Sequence, residues 1–89
     1  MTVADDCVAA AEAAYRAARF AEAVAMLEPL ADTDPAHQAA LRVLGMCRFR
    51  LGQHAAALDL LERARRLVPT DPWAMLYHGM VLRDRGRVA

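Results

Sequence analysis

The feature that most constrains the fold is an internal repeat with a period of 34 residues. Two glycines return after 34 positions, Gly45 as Gly79 and Gly52 as Gly86. Three further positions correspond in the opposite direction, pairing Ala57 with Ala23, Leu61 with Leu27, and Pro69 with Pro35. A fixed period of this length is typical of repeated helical hairpins, which bury a continuous core between neighbouring units. We therefore expect an all-α chain of antiparallel helix-turn-helix units.

The composition favours helices and excludes several other classes. Hydrophobic residues make up 57% of the chain, and many of them are Ala, which loses no side-chain entropy in a helix. Gly and Pro number four each, too few for a collagen-like or low-complexity chain. The sequence has no run of about 20 apolar residues, the length that spans a membrane, and no pattern typical of a signal peptide. We expect a cytoplasmic protein with no membrane partner.

The net charge of zero conceals a gradient along the chain. Residues 1–34 hold two Arg against seven acids, a net of −5, whereas residues 35–89 hold nine Arg against four acids, a net of +5. The gradient is either a solvated surface or the basis of a head-to-tail contact or of an acidic partner at the basic end. The neutral total and the lack of a continuous Arg stripe argue against nucleic acid as a partner.

Helical periodicity and capping residues place five helices. The expected helices run over Val3–Arg16, from Phe20 onward, from Asp34-Pro35 to about Arg50, from about His54 to Leu67, and from Pro72 to about Asp84, with residues 85–87 closing the chain. Pro29 predicts a kink or an early end of the second helix near Met26–Glu28, followed by a loop over 31–33. Ala18 stands where Gly52 and Gly86 stand in the later units, so the first turn either avoids a left-handed residue or strains a non-glycine one. On the fifth helix, we expect core packing against the fourth helix at Met75, Val81 and Leu82.

The residues needed for catalysis or metal binding do not form a recognisable set. The three His, His37, His54 and His78, lack the spacing of metal ligands, and so do Cys7 and Cys47. Thr2, Thr33 and Thr70 are the only hydroxyl-bearing Ser or Thr side chains. The sequence therefore predicts no nucleophile–base pair, no metal, no cofactor and no enzymatic activity.

The second unit, residues 38–71, carries a pattern that resembles the tetratricopeptide repeat (TPR) family. The matching positions are Leu41, Leu44, Gly45, Gly52, Ala57, Leu61, Ala64 and Pro69. The resemblance implies one domain over 1–89 with repeats at about 4–37 and 38–71 and a half repeat over 72–89. It further implies that the five helices stack as a right-handed solenoid.

The resemblance also implies a function, since the first helices of TPR units line a concave groove. This predicts a protein-protein interaction module that binds an apolar or helical partner segment. The predicted groove residues are Val8, Glu12, Tyr15, Arg16, Arg42, Val43, Met46, Phe49, Arg50, Trp73, Leu76, Tyr77, Met80 and Arg83. The family members that clamp an acidic C-terminus use Lys, Asn and Arg, but the matching positions here are Val8, Glu12, Val43, Trp73 and Tyr77, so that ligand is not expected.

Two alternative functions follow from other features. The segment Leu44–Arg48 with Gly52-Gln53 is similar to the central repeat of small TPR chaperones of bacterial type III secretion, which implies a chaperone for a secreted hydrophobic protein. A TPR targeting fragment of a larger bacterial enzyme is the other alternative. The fifth helix is apolar around much of its circumference, which indicates either self-association into a homo-oligomer or missing downstream repeats.

Overall fold

Five α-helices account for most of residues 2–88, the part of the chain that the computed structural model describes; side chains are described up to residue 86. The helices are α1 (Val3–Arg16), α2 (Phe20–Thr33), α3 (Gln38–Arg50), α4 (His54–Leu67) and α5 (Pro72–Val88). Within residues 2–88 there is no β-strand. The expectation of an all-α fold with five helices is confirmed, as are the expected bounds of α1 and α4.

The helices pack in chain order around α3. The short turns after α1 and α3 make antiparallel hairpins of α1 with α2 and of α3 with α4. Helix α3 contacts all four other helices, which places it at the centre. The largest fully buried side chains include three from α3: Leu41, Val43 and Cys47. The packing of α5 on α3 and α4 brings the first helices of the three units, α1, α3 and α5, to one side of the molecule.

The start of α3 differs from the expectation. Asp34-Pro35 does not begin the helix; α3 begins at Gln38, with His37 as its N-cap. The Nδ1 atom of His37 accepts a hydrogen bond from the N–H of Ala40 at 3.2 Å. The carboxylate of Asp34 instead accepts a hydrogen bond from the N–H of Ala36 at 3.3 Å, which closes a local turn rather than a helical one.

Of the kink or early end expected for α2 near Met26–Glu28, the early end is wrong. Helix α2 contains Pro29 and continues to Thr33, so residues 31–33 are helical rather than a loop. The missing N–H of Pro29 removes the helical donor for the carbonyl of Ala25. Both residues are exposed, so water can satisfy that carbonyl at little cost.

The expectations for α5 are only partly correct. The helix extends to Val88, so Gly86 lies inside it, and only Gly52 among the glycines has a positive φ. Val81 is fully buried as expected, but Met75 and Leu82 are 47% and 49% exposed. These two side chains lie on a face of α5 that no other described helix covers, so their placement in the core was wrong.

Candidate functional site

A cleft of about 250 Å³ lies on the side of the molecule formed by α1, α3 and α5. Each of these three helices contributes side chains to the lining of the cleft. The lining residues are Glu12, Tyr15, Arg16, Arg42, Val43, Met46, Trp73 and Tyr77. The cleft therefore depends on all three units of the chain, because one helix from each unit supplies part of its wall.

The cleft has an apolar floor and a mixed rim. Val43, Met46 and Tyr77 are 0%, 8% and 6% exposed, so they form the floor and also belong to the core. Trp73 is 55% exposed and stands at the rim. No ion pair joins Glu12 to another residue within the described part of the chain. The rim thus offers an aromatic surface and a carboxylate to a bound molecule.

Two tyrosines of the cleft lining contact each other. The hydroxyl groups of Tyr15, on α1, and Tyr77, on α5, are hydrogen-bonded to each other. Arg50 donates from Nε to the Tyr15 hydroxyl at 3.0 Å. Phe49 packs edge-to-face on Tyr77, with ring centroids 6.0 Å apart. Burial and the hydrogen bond to Tyr77 raise the pKa of Tyr15 above its ordinary value of 10.0, against the lowering effect of the Arg50 hydrogen bond.

Asp71 orients the start of α5 and with it Trp73. Its carboxylate accepts a hydrogen bond from the N–H of Trp73 at 2.9 Å. Its other oxygen lies 3.1 Å from Nε of Arg42 and accepts a hydrogen bond from Gln38, although the Arg42 Nε–H is not aligned for a hydrogen bond. Burial alone would raise the pKa of Asp71, but the bonds from Gln38, Ala74 and Trp73 and the charge of Arg42 lower it below its ordinary value. Asp71 therefore remains ionised and couples α3 to α5.

The cleft brings together only part of the predicted groove. All the lining residues belong to the predicted set, but six predicted residues lie outside the lining. Val8 is buried, and Phe49, Arg50 and Met80 flank the tyrosine pair or the core beside it, whereas Leu76 and Arg83 are exposed on α5. The groove prediction had omitted Asp71, which contacts Arg42 and caps the helix that bears Trp73. In the sequence, the position of Asp71 before Pro72 indicated only that it caps the fifth helix.

Metal-binding groups and membrane-spanning helices are not found among residues 2–88. Across residues 2–88, no three His, Cys, Asp or Glu side chains are grouped closely enough to hold a metal ion. No helix in that range is long and apolar enough to cross a membrane. Cys7 and Cys47 are both free thiols, and burial raises the pKa of Cys47 to about 11.

Comparison with known proteins agrees with this architecture. The chain is 37% identical over 67 residues to intraflagellar transport protein 70A from Bos taurus. That alignment covers 75% of this chain and 10% of the relative, so the chain spans about a tenth of the relative's length. The sequence profile of the family described as "Tetratricopeptide repeat" matches residues 8–72. The chain, with its period of 34 residues and stacked helical hairpins, belongs to the tetratricopeptide repeat family.

Proposed function

We propose that this chain holds an apolar or helical segment of a partner protein in the cleft between α1, α3 and α5. Membership of the TPR family supports a general role in protein–protein interaction. The single observation that carries the finer proposal is the composition of the cleft, which combines Trp, Tyr, Met and Arg on one surface. These residue types are enriched at the centres of protein interfaces.

The size of the cleft favours a side-chain anchor over a small molecule. Pockets for drug-sized ligands measure roughly 300–1,000 Å³. A cleft of about 250 Å³ falls below that range and suits one or two anchor side chains of a longer segment. The buried faces of Val43 and Met46 favour an apolar anchor, because a polar side chain placed on them would lose its hydrogen bonds to water.

The rim adds orientation to this apolar contact. Trp73 can lie against the backbone or the side chains of the bound segment, and Glu12 offers a carboxylate to a basic residue or to an exposed N–H group. Arg42 is already paired with Asp71, so it positions the wall more than it attracts the partner. We therefore expect the bound segment to carry a large apolar residue and a basic residue close to it in sequence.

The proposal is tested by selecting ligands on the intact chain. Displayed random peptides of about 16 residues are selected against the protein, and the dissociation constants of the best sequences are measured by calorimetry. Trp73→Ala is expected to weaken binding at least tenfold, which corresponds to about 1.4 kcal/mol. Leu76→Ala is the matched control, since Leu76 lies on the same helix with 52% exposure but does not line the cleft.

Either of two results would contradict the cleft proposal. If Trp73→Ala and Leu76→Ala change the affinity equally, or if Trp73→Ala has no effect on any selected peptide, then the cleft is not the binding surface. Circular dichroism of both variants verifies that neither exposed substitution alters the helical content.

A further inference from the structure

The internal repeat allows one face of α5 to be compared with the equivalent face of α3. A shift of 34 residues carries Leu41 to Met75 and Gly45 to Gly79. On α3 both positions are buried, and Leu41 is 0% exposed. On α5 both positions are exposed, and Met75 is 47% exposed. The chain therefore shows the same helix face once covered and once open.

Helix α4 covers this face on α3 by a close approach at Gly45. A Cβ atom built on Gly45 would lie only 2.8 Å from Cγ of Leu61 and 3.3 Å from Cβ of Leu60. The glycine thus makes a socket for a leucine of the antiparallel helix. At Gly79 no heavy atom lies within 4 Å of the equivalent Cβ position. The socket is present on α5 without the leucine that fills it on α3.

We propose that the face formed by Met75, Gly79 and Leu82, here called the Gly79 face, docks an amphipathic helix of a separate partner protein. The partner helix runs antiparallel to α5 and places an aliphatic side chain over Gly79. The first hairpin supports the same arrangement, because Leu27 of α2, the counterpart of Leu61, is also fully buried. None of the three residues of the Gly79 face lines the cleft, so this interaction is independent of the proposed function.

The charges near the Gly79 face specify the partner further. An antiparallel partner helix begins near the end of α5, where Arg83 and Arg85 are exposed. Acidic residues in the first turn of the partner helix would therefore be attracted by both arginines and would also be favoured by the helix dipole. The partner is thus a helix with an aliphatic and alanine stripe and an acidic first turn.

A second copy of this chain fits the Gly79 face less well. Helices α2 and α4 of any copy already bury the leucines that could fill the socket, Leu27 and Leu61. Helix α1 has an acidic first turn but contains no Leu, Ile or Met. In an antiparallel pair of α5 helices, Arg83 and Arg85 of each copy would face the first turn of the other α5, which contains no acid to attract them. Charge and side-chain size therefore both favour a different protein.

The test uses a synthetic peptide as the model partner. A peptide with the sequence of residues 19–34 supplies Leu27 and the first-turn acid Glu22, and carries a net charge of −3. It is titrated, with blocked termini and a fluorescent label, into the full chain while the anisotropy is recorded. Saturable binding that weakens with added salt is expected. A peptide with the sequence of residues 53–68, which has no acid in its first turn, is expected to bind more weakly.

One substitution in the chain and one in the peptide test whether the peptide binds at the Gly79 face. Gly79→Leu fills the socket without meeting any neighbour, so the variant is expected to fold and to bind the peptide at least tenfold more weakly. The peptide variant L27D is expected to lose binding to the same extent. Ala55→Leu, which adds an exposed leucine to α4, is the control and should bind normally. If circular dichroism shows that Gly79→Leu is unfolded, Gly79→Ala replaces it, because a single Cβ already obstructs this approach at Gly45.

Several results would overturn the proposal. Absence of binding up to about 1 mM peptide would do so, since that corresponds to only about 4 kcal/mol of affinity. Binding that survives Gly79→Leu would place the peptide elsewhere, for example at the site of α2. Self-association of the chain that Gly79→Leu abolishes, without peptide binding, would assign the face to a second copy. Trp73→Ala should leave peptide binding unchanged, so failure here is separable from failure of the cleft proposal.

Discussion

At the scale of single residues, two turns of similar shape are made by different amino acids. Ala18 and Gly52 occupy equivalent positions after α1 and α3, with φ values of 61° and 77°. Glycine adopts this left-handed conformation without cost, whereas a residue with a Cβ atom is strained by roughly 1 kcal/mol or more. Of the two possibilities left open by the sequence, the chain strains a non-glycine residue rather than avoiding the left-handed conformation.

We predict that Ala18→Gly stabilises the protein. Replacement removes the clash of Cβ with the carbonyl oxygen, and the gain exceeds the extra entropy that glycine gives the unfolded chain. The free energy of unfolding, measured by urea denaturation, should rise by about 0.5 kcal/mol or more. The reciprocal change Gly52→Ala should lower it by about 1 kcal/mol through strain alone, because no atom lies near its Cβ position. A loss of stability in Ala18→Gly would contradict the interpretation.

Cys47 illustrates how burial determines reactivity. This thiol is 0% exposed and its pKa is raised to about 11, whereas Cys7 is half-buried and donates to the carbonyl of Met26 at 3.1 Å. We predict that iodoacetamide at pH 8 modifies Cys7 and spares Cys47, as measured by peptide mass spectrometry. In urea the two rates should converge. Comparable rates in the folded protein would show that α3 opens far more readily than its burial indicates.

The same pKa shift has a consequence for stability at alkaline pH. The folded-state pKa of about 11 lies above the ordinary value of 9.0. The contribution of Cys47 to stability is therefore complete below pH 9 and is lost as the pH rises towards 11, because the unfolded chain releases the proton first.

At the scale of helices, the repeat period was more informative than the local capping pattern. The two Asp-Pro pairs at Asp34 and Asp71 look alike, but a shift of 34 aligns Asp71 with His37 instead. Both Asp71 and His37 accept hydrogen bonds from backbone N–H groups at the start of their helices. The 34-residue period therefore indicates the correct start of α3, whereas the Asp34-Pro35 motif indicated an earlier one.

The sequence indicated the rotation of α1 and α3 better than that of α5. Helices α1 and α3 each pack against a hairpin partner, α2 and α4, which fixes their rotation, and the repeat pattern reveals it. Helix α5 has no hairpin partner among the described helices, so its apolar positions do not show which of them are covered. Met75 and Leu82 were therefore assigned to the core by their hydrophobicity, although they are exposed. Leu76 was placed in the groove by the geometry that the TPR resemblance implies, and it does not line the cleft.

We predict opposite effects of the same substitution on α3 and α5. Gly45→Ala forces Cβ against Leu61 and should destabilise the protein by roughly 1–3 kcal/mol. Gly79→Ala meets no neighbour and should stabilise the protein by up to about 1 kcal/mol through higher helix propensity. Urea denaturation of both variants measures the difference. Equal effects would mean that the close approach of α4 at Gly45 does not limit the packing.

At the scale of the whole molecule, stability should decline from α3 towards the two ends. Stacked repeats are stabilised chiefly by their nearest neighbours, and α3 is the helix that contacts all the others. We predict that backbone amides of α3 exchange with deuterium most slowly, and that those in the second half of α5 open at a free energy lower by about 2 kcal/mol or more. Uniform protection from α1 to α5 would instead indicate a single cooperative unit.

The hydrogen bond between Tyr15 and Tyr77 has a mechanical consequence. It joins side chains 62 residues apart, on α1 and α5, which pack on α3 rather than on each other. In a stack of repeats, elastic deformation is divided among the successive interfaces between helices. The Tyr15–Tyr77 bond connects α1 and α5 directly and so bypasses the two interfaces with α3. A force that pulls α1 and α5 apart must break this hydrogen bond before the two helices can separate. Together with the packing of both helices on α3, the two tyrosine hydroxyls therefore limit how far the cleft can widen.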